Sequence, residues 1–332
     1  MNQPRSDHRM PASSRPVVRY RPGGDLDEIL ADPGTLAVMT FGDALPLRVD
    51  DPRVLNVPLQ PAASSQSSCL EHWHVDDHVE SGRDAGLAWA SSNHWLFAAL
   101  DLDEADHGSI EDSAELAYAQ LCGFLDRRPQ RHVQRLWNYL GSINQGHGDD
   151  ERYRQFCAGR QRGMGHFFDN GYPAATAIGH HQATTRMQVY CLASTLPGTR
   201  VENPRQLSAW RYPRQYGPTP PSFARAMRLP GDASMAISGT ASITGHDSRH
   251  EGDLEAQLGE TLANLKALLK SNHQPEHFGP GDPLKIYVRH PEHVARAEAF
   301  FDEHTPVSPR IILNGDICRS ELLVEIDGWR FA

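Results

Sequence analysis

The chain has 332 residues, 39% of them hydrophobic and 22% charged, and its formal net charge at pH 7 is −10. This composition is typical of a soluble globular protein, and the length allows two domains or one large one. The 29 arginines far outnumber the lysines, of which the first is Lys266, so a lysine-containing phosphate loop is excluded over most of the chain. The negative balance also argues against nucleic-acid binding, which needs a basic face.

Five widely spaced cysteines without a CxxC pair argue against a disulfide framework and favour a reducing cytoplasm. No apolar run is long enough to span a membrane, and the first residues lack the apolar core of a secretory signal. Residues 1–16 are rich in Pro, Ser and Arg, and we expect them to be disordered. The sequence therefore predicts a cytoplasmic protein with neither a membrane nor a nucleic acid as partner.

The first half of the chain mixes short strands with two helices. Ser109 begins an S-x-x-D capping pattern followed by apolar residues at helical spacing, and a second helix is predicted over Asp150–Arg162. Short apolar runs punctuated by Pro and Gly predict strands at Leu36–Phe41, Val54–Leu59, Leu87–Ala90, Trp95–Leu100 and Val133–Leu140.

The second half follows the aperiodic, glycine-containing stretch Gly163–Pro173, a candidate interdomain segment. Leucines on one face predict a helix over Asp253–Lys270, and Pro291 begins another that ends near Glu303. Strands are predicted at Ala174–Gly179, Met187–Ala193, Ala224–Leu229, Met235–Ile243, Leu284–Arg289, Ile311–Leu313 and Leu322–Ile326. We therefore expect an α+β protein with an N-terminal domain over 17–165 and a C-terminal domain over 166–332, each with helices on one face of a mixed sheet.

The segment Glu71–Glu80, EHWHVDDHVE, concentrates three histidines and four acids. On a strand, His72 and His74 would point to the same side, as a pair of metal ligands must. No third ligand stands at a diagnostic spacing, so a solvated polar loop is the favoured interpretation, and no metal site is predicted.

Tyr153, Phe156, Cys157 and Arg160 form one stripe of the second predicted helix. Periodicity alone favours core packing for this stripe. The alternative is that Tyr153 and Arg160 face an anionic ligand together, a task to which arginine is suited because it stays charged and binds carboxylates with two donors.

The segment Trp210–Arg225, WRYPRQYGPTPPSFAR, combines arginines and tyrosines with several prolines. Proline fixes φ and removes a hydrogen-bond donor, so a stiff, non-helical loop is predicted. Such a loop is either part of a binding site or a surface loop with solvated arginines.

The tail Cys318–Asp327, CRSELLVEID, alternates so that Leu322, Val324 and Ile326 form the expected core face. Glu325 then lies on the opposite face, and the spacing favours solvent exposure. Inside a cleft, however, desolvation would raise the pKa of Glu325 and allow it to act as a general acid near neutral pH.

Several of these motifs together resemble the chorismatase family. The resemblance is carried by SGTASI (238–243), with Gly245-His246, Gly252-Asp253, Gln257 and Glu260-Thr261 after it. It is also carried by YPRQYGP (212–218), FAR (223–225), ERYRQFCAGR (151–160) and CRSELLVEID (318–327). These motifs span about the last two-thirds of the chain, in the same order as in the family.

The resemblance implies two domains of the RidA/YjgF type, related to chorismate mutase, that imitate within one chain a trimer of such domains. It therefore implies a monomer with its ligand in a cleft between the domains. The implied substrate is chorismate, a dianion with an enolpyruvyl ether, and no cofactor or metal is required. The implied products are 3-hydroxybenzoate, 4-hydroxybenzoate or both, with pyruvate, and they would supply precursors of a pigment and of ubiquinone.

By residue, the resemblance implies that Glu325 is the catalytic acid and that Cys318 favours hydroxybenzoate as the product. It implies a substrate-binding role for five further residues: Tyr153, Arg160, Tyr212, Arg225 and Gly239. Two alternatives stay open, a hydrolase that converts chorismate to a dihydroxycyclohexadiene carboxylate, and a RidA-like binding protein without catalysis. A pterin- or metal-dependent oxygenase ranks third, because no 2-His-1-carboxylate spacing stands out.

Overall fold

The computed structural model describes residues 15–42, 50–62, 68–182 and 185–331, so the predicted disorder of residues 1–16 falls almost wholly outside it. In chain order the strands are β1 (Val17–Pro22), β2 (Thr35–Phe41), β3 (Val54–Val57), β4 (Gln60–Pro61), β5 (Cys69–His74), β6 (Glu80–Asp84), β7 (Leu87–Ser91), β8 (Trp95–Asp103), β9 (His132–Gly141), β10 (Ala174–His180), β11 (Arg186–Ser194), β12 (Thr199–Val201), β13 (Ala226–Arg228), β14 (Met235–Ala241), β15 (Ile243–Thr244), β16 (Asp247–Ser248), β17 (Leu284–Val288), β18 (Arg310–Asn314), β19 (Asp316–Ile317) and β20 (Val324–Arg330). The helices are α1 (Leu26–Ala31), α2 (Ile110–Asp126), α3 (Arg152–Met164), α4 (Leu254–Ser271) and α5 (Val294–His304).

Three sheets contain most of these strands. The N-terminal sheet has the order β1-β5-β2-β3, the central sheet β19-β10-β9-β11-β8-β7-β6, and the C-terminal sheet β12-β13-β14-β20-β17-β18-β4. Parallel and antiparallel pairs occur together, for example β9 with β10 and β14 with β20. The predicted α+β class with mixed sheets is confirmed.

The helices cover one face of the two larger sheets. The apolar sides of α2 and α3 share a core with the central sheet, and those of α4 and α5 share one with the C-terminal sheet. The cap predicted at Ser109 is present, because Ser109 accepts from the amide of Asp112. Asp253 caps α4 in the same way, since it accepts from the amide of Ala256. None of the helices in the described ranges is long and apolar enough to cross a membrane.

The remaining core lies between the sheets and is rich in aromatic rings. Trp73 of the N-terminal sheet, Trp137 and Tyr190 of the central sheet and Trp329 of the C-terminal sheet contact one another there. Strands that face both this core and a helix layer are buried on both sides. This double burial explains why β20 is buried along its whole length.

The interpretation of 71–80 as a solvated polar loop is wrong for its first four residues, which lie in β5. Glu71 is buried against Lys285 and accepts from Trp73 Nε1 at 2.9 Å, and His72 contacts Thr35 Oγ1 at 3.1 Å. The polar side chains are tolerated because each has a partner within the fold. Among the described residues, no group of three or more His, Cys, Asp and Glu side chains is placed to hold a metal.

The domain division at residues 165 and 166 stays a prediction, as do the pseudo-trimeric arrangement and the monomeric state. The strands β10 and β11, which follow that division, hydrogen-bond to β9 and β8, which precede it. The central sheet is therefore assembled from residues on both sides of the predicted boundary.

Candidate active site

A cavity of about 370 Å³ lies where the central and C-terminal sheets meet. Its walls come from α3, β10, β14 and β20, from the loop 212–225 and from the turn 318–321. The volume is in the range of small-molecule sites. All seven residues that the resemblance implies line this one cavity: Tyr153, Arg160, Tyr212, Arg225, Gly239, Cys318 and Glu325.

Glu325 lies in β20, opposite Ala241 of β14 and Tyr287 of β17, and only 5% of its surface is exposed. The solvent exposure that its spacing favoured is therefore wrong. The physical reason is that both faces of β20 are covered, one by α4 and the other by the central sheet. The side opposite the helices is thus a cleft wall instead of a solvated surface.

Burial raises the pKa of Glu325 to about 8, and the negative charge of Asp327 contributes to the rise. Arg135, Arg225 and Arg289 oppose it. A carboxyl with this pKa carries its proton at neutral pH and can donate it.

Gly239 makes room for the Glu325 carboxyl. The strand β14 has one extra residue between Ile237 and Thr240 relative to β20, a β-bulge of the kind common beside active sites. A Cβ at position 239 would overlap Glu325 Oε1 and would lie 3.2 Å from Thr176 Oγ1. The Gly239 amide donates to Thr176 Oγ1 at 2.9 Å, so the bulge is tied to β10.

Arg225 and Tyr212 form a pair on one wall. Arg225 donates to the Tyr212 hydroxyl at 2.8 Å and to the Leu207 carbonyl at 2.7 Å, and it is 2% exposed. Tyr212 follows a single helical turn at Ala209–Arg211, in the stiff loop that the prolines predicted. The loop therefore contributes to the cavity, and its interpretation as a solvated surface loop is wrong for these two residues.

Arg160 and Tyr153 project from α3 on the stripe that the sequence predicted. Arg160 donates to the Ser222 carbonyl at 2.8 Å and is 4% exposed, while its guanidinium packs over the ring of Tyr118. Burial raises the pKa of the Tyr153 phenol, so it is a neutral hydrogen-bonding group. Both expectations for the stripe are met in part, since Phe156 and Cys157 pack in the core while Arg160 and Tyr153 reach the cavity.

Cys318 lies in the turn that precedes β20, and burial together with Glu325 raises its pKa. The thiol is therefore neutral and unsuited to nucleophilic attack. Gln257 of α4 holds this turn, because its side chain donates to the Glu321 carbonyl at 2.9 Å and accepts from the Leu323 amide at 2.8 Å. Arg289 donates to the carbonyls on either side of Cys318, those of Ile317 and Arg319, at 2.9 Å each.

Arg319 also lines the cavity, and the sequence analysis missed it. Its guanidinium lies over the rings of Tyr212 and Tyr216, and Nη1 donates to the His246 carbonyl at 2.8 Å. The available signal was its position directly after Cys318. That signal is weak in a chain with 29 arginines.

Three cavity arginines retain buried N–H groups without a hydrogen-bond partner among the described residues: Arg160 Nε, Arg225 Nε and Arg319 Nη2. A buried donor without an acceptor costs free energy, so such groups indicate a ligand that supplies acceptors. Carboxylates fit this requirement best, because they offer two acceptor oxygens and a compensating charge. The cavity can therefore bind an acidic small molecule next to a protonated carboxyl.

Comparisons with known proteins show to which family the chain is related. The family model described as "Chorismatase FkbO/Hyg5-like, N-terminal" matches residues 71–193. A 3-hydroxybenzoate synthase of Streptomyces hygroscopicus is 35% identical over 277 residues, which cover 78% of this chain and 80% of the relative. A chorismatase of Streptomyces rapamycinicus is 34% identical over 278 residues, which cover 79% and 82% of the two chains.

The fold is also that of a solved relative. A chorismatase crystal structure matches 95% of this chain and 98% of its own with a TM-score of 0.81 at 29% identity. The identity to the curated relatives and the coverage of both chains exceed what shared fold alone produces. The chain belongs to the chorismatase family.

Proposed function

We propose that this enzyme converts chorismate to 3-hydroxybenzoate, 4-hydroxybenzoate or both, with release of pyruvate, and that Glu325 is the general acid. The observation that supports the proposal is the cavity lining, in which Glu325, whose pKa burial raises to about 8, lies with three arginines that have donors without a partner among the described residues. Chorismate has two carboxylates for the arginines and an enol ether for the acid.

In the proposed reaction, Glu325 protonates the methylene carbon of the enolpyruvyl group. The positive centre that forms on the ether carbon weakens the bond between the ether oxygen and the ring, and the group leaves as pyruvate. Loss of the proton on the carbon that bears the hydroxyl then produces 4-hydroxybenzoate. For 3-hydroxybenzoate, the hydroxyl first closes onto the neighbouring ring cation to form a protonated epoxide, which opens at the other carbon before the ring proton is lost. Hydroxybenzoate and pyruvate together contain the atoms of chorismate, so no water, oxidant or cofactor is consumed.

The buried position of Glu325 suits both halves of this reaction. In its neutral form the carboxyl donates the proton, and in its ionised form it stabilises the positive charge that develops in a cavity of low dielectric. Arg160 and Arg225 are the proposed carboxylate ligands, with Arg319 as a third donor. Tyr153 and Tyr212 provide ring contacts and neutral hydrogen bonds.

The test is to mix purified protein with chorismate, measure pyruvate, and separate the ring products by chromatography. Hydroxybenzoate in a one-to-one ratio with pyruvate supports the proposal. Pyruvate accompanied by a dihydroxycyclohexadiene carboxylate would identify a hydrolase, since that product has gained one water. Binding of chorismate without any pyruvate would indicate a protein that has lost catalysis.

Gly239→Ala is expected to fold normally and to lose about 100-fold in turnover. The added methyl overlaps only the end of the flexible Glu325 side chain, which can move aside, and displacement of a catalytic group by about 1 Å costs on the order of 100-fold in rate. Turnover and melting temperature are measured together.

The matched control is Gly259→Ala in α4, where an added Cβ meets no atom within 4 Å. This exposed helical position should gain about 0.5–1 kcal/mol of stability and keep its turnover. Full activity in Gly239→Ala would contradict the role given to the bulge.

Cys318→Ala is expected to change the ring product towards the diol, because the smaller side chain leaves space for water beside the developing cation. Chromatography of the products measures the change. Cys191→Ala is the control, since Cys191 is buried in β11 and does not line the cavity. An unchanged ratio of hydroxybenzoates, with no diol, would remove Cys318 from product control.

A pigment or ubiquinone precursor as the product, and a cytoplasmic location, stay predictions of the resemblance and of the cysteine content.

A further inference from the structure

A buried polar cluster lies behind Glu325, and of its members only Thr176 also lines the cavity. Its centre is Asp327, two residues further along β20 and 1% exposed. A single oxygen, Asp327 Oδ2, accepts from Tyr287 OH at 2.9 Å, from Thr176 Oγ1 at 3.0 Å and from Trp137 Nε1 at 3.1 Å. The same oxygen lies 3.2 Å from a guanidinium nitrogen of Arg135, which is fully buried.

Joining two sheets through this buried ion pair requires desolvation of both charges. Burying an ion pair costs several kcal/mol per ion in desolvation, and apolar residues of similar size often give equal or greater stability. Trp137, Trp329 and Tyr190 already form such an apolar contact next to Asp327. The charge of Asp327 therefore needs an explanation other than packing.

The explanation is suggested by the charges that surround Glu325. The positive charges that act most on Glu325 are those of Arg135 in β9, Arg225 in the loop before β13, and Arg289 directly after β17, and each lowers its pKa. The neutral side chains of Cys318 and Tyr153 also act on this site, and the neutral Tyr287 lies opposite Glu325 in β17. Three nearby positive charges would lower the pKa of Glu325, and it would lose its proton at neutral pH unless a negative charge offsets them.

Asp327 is the acid placed to offset Arg135, whereas Arg289 is paired with Asp316. Asp327 pairs with Arg135 directly, and it shares a strand face with Glu325. Thr176 connects the two sites, because its hydroxyl donates to Asp327 and accepts from the amide of Gly239, the residue against the Glu325 carboxyl.

We propose that Asp327 is a positioning residue that keeps Glu325 in its proton-bearing form between turnovers. The catalytic role of Asp327 in this proposal rests on the proposed function. The protonation of Glu325, however, can be measured without any reaction. Asp327 does not line the cavity, so it acts through Glu325 and not on the substrate.

The test is Asp327→Asn, which removes the charge and leaves an amide oxygen to accept the same hydrogen bonds. The protonated Glu325 carboxyl is followed by its infrared C=O band, identified as the band that Glu325→Gln lacks. The pH at which this band disappears should fall by at least one unit in Asp327→Asn. The alkaline limit, which is the pH above which kcat/KM for chorismate declines, should fall by the same amount, with KM nearly unchanged at low pH.

Tyr287→Phe is the matched control, because it removes one donor to the same oxygen and no charge. It should lower the melting temperature without moving the band or the alkaline limit. If Asp327→Asn folds and its band disappears at the pH of the wild type, Asp327 only joins the sheets and the proposal is wrong.

Should Asp327→Asn fail to fold, Arg135→Gln replaces it. Loss of this cation should move the infrared band to higher pH, and it provides a background in which Asp327→Asn leaves no unpaired buried charge. Asp327→Asn added to Arg135→Gln should move the band back to lower pH, and an unchanged pH would overturn the proposal. A wild type that releases no pyruvate from chorismate would instead reject the proposed function. The infrared comparison would still decide the role of Asp327.

Discussion

Glu325→Gln should lower the turnover of chorismate by about a thousandfold, the largest effect of any single substitution in the cavity. Glutamine has nearly the shape of glutamic acid and fits the space beside Gly239, but it cannot donate the proton that the enol ether requires. Removal of a general acid typically costs 100- to 10,000-fold in rate. Release of pyruvate measures the effect, and turnover within tenfold of the wild type would refute the role of Glu325.

The pH dependence provides an independent signature of the same group. With a pKa of about 8 for Glu325, kcat/KM should be level below that pH and fall tenfold per unit above it, because only the protonated form is competent. Glu325→Gln should lack this alkaline limb in its residual activity. The control is Glu202→Gln, since burial raises the pKa of Glu202 too, yet Glu202 does not line the cavity. That variant should keep the limb.

The free energy of unfolding should decrease as the pH rises from about 4.5 towards 8. The folded chain binds the Glu325 proton more tightly than the unfolded chain, whose glutamates titrate near pH 4.5. The stability contributed by this group is therefore present below about pH 4.5 and is lost as the pH rises towards 8. The melting temperature of the wild type should fall relative to that of Glu325→Gln across this range.

Local signals in the sequence were sufficient for α2 to α5 and for many strands, whereas the short helix α1 was not predicted. The cap at Ser109 with the periodic apolar residues after it locates α2, and the periodic leucines locate α4, because those signals act within a few residues. The strand β5 was harder to recognise. Its polar residues resemble a loop until their partners are known, and the partner of Glu71 is Lys285, more than 200 residues away.

The burial of Glu325 could not be predicted from spacing for a similar reason. Alternation along β20 shows which residues share a face, but not what covers that face. The cover includes Trp137 of β9, which donates to Asp327 across 190 residues of chain. Motif resemblance identified Glu325 and Cys318 in spite of this, and it missed Arg319 because it assigned no function to the arginine beside Cys318.

Arg225→Met should raise the KM for chorismate by about 10- to 150-fold, since each hydrogen bond to a charged group contributes about 1.5–3 kcal/mol. The reason is that Arg225 is buried, with an Nε donor that has no partner among the described residues. Steady-state kinetics measures the change. The exposed Arg296→Met, which loses only a surface ion pair with Glu255, should leave KM as it is.

A second readout distinguishes Arg225 from Arg160. Arg225 lowers the pKa of Glu325, so Arg225→Met should also move the alkaline limb of kcat/KM to higher pH. Arg160 is not among the main charges acting on Glu325, so Arg160→Met should raise KM and leave the limb in place. Arg225→Lys restores the charge without the planar fork, and it should return the limb to its original pH while recovering only part of the affinity. A KM within threefold of the wild type in Arg225→Met would show that the substrate carboxylates are bound elsewhere in the cavity.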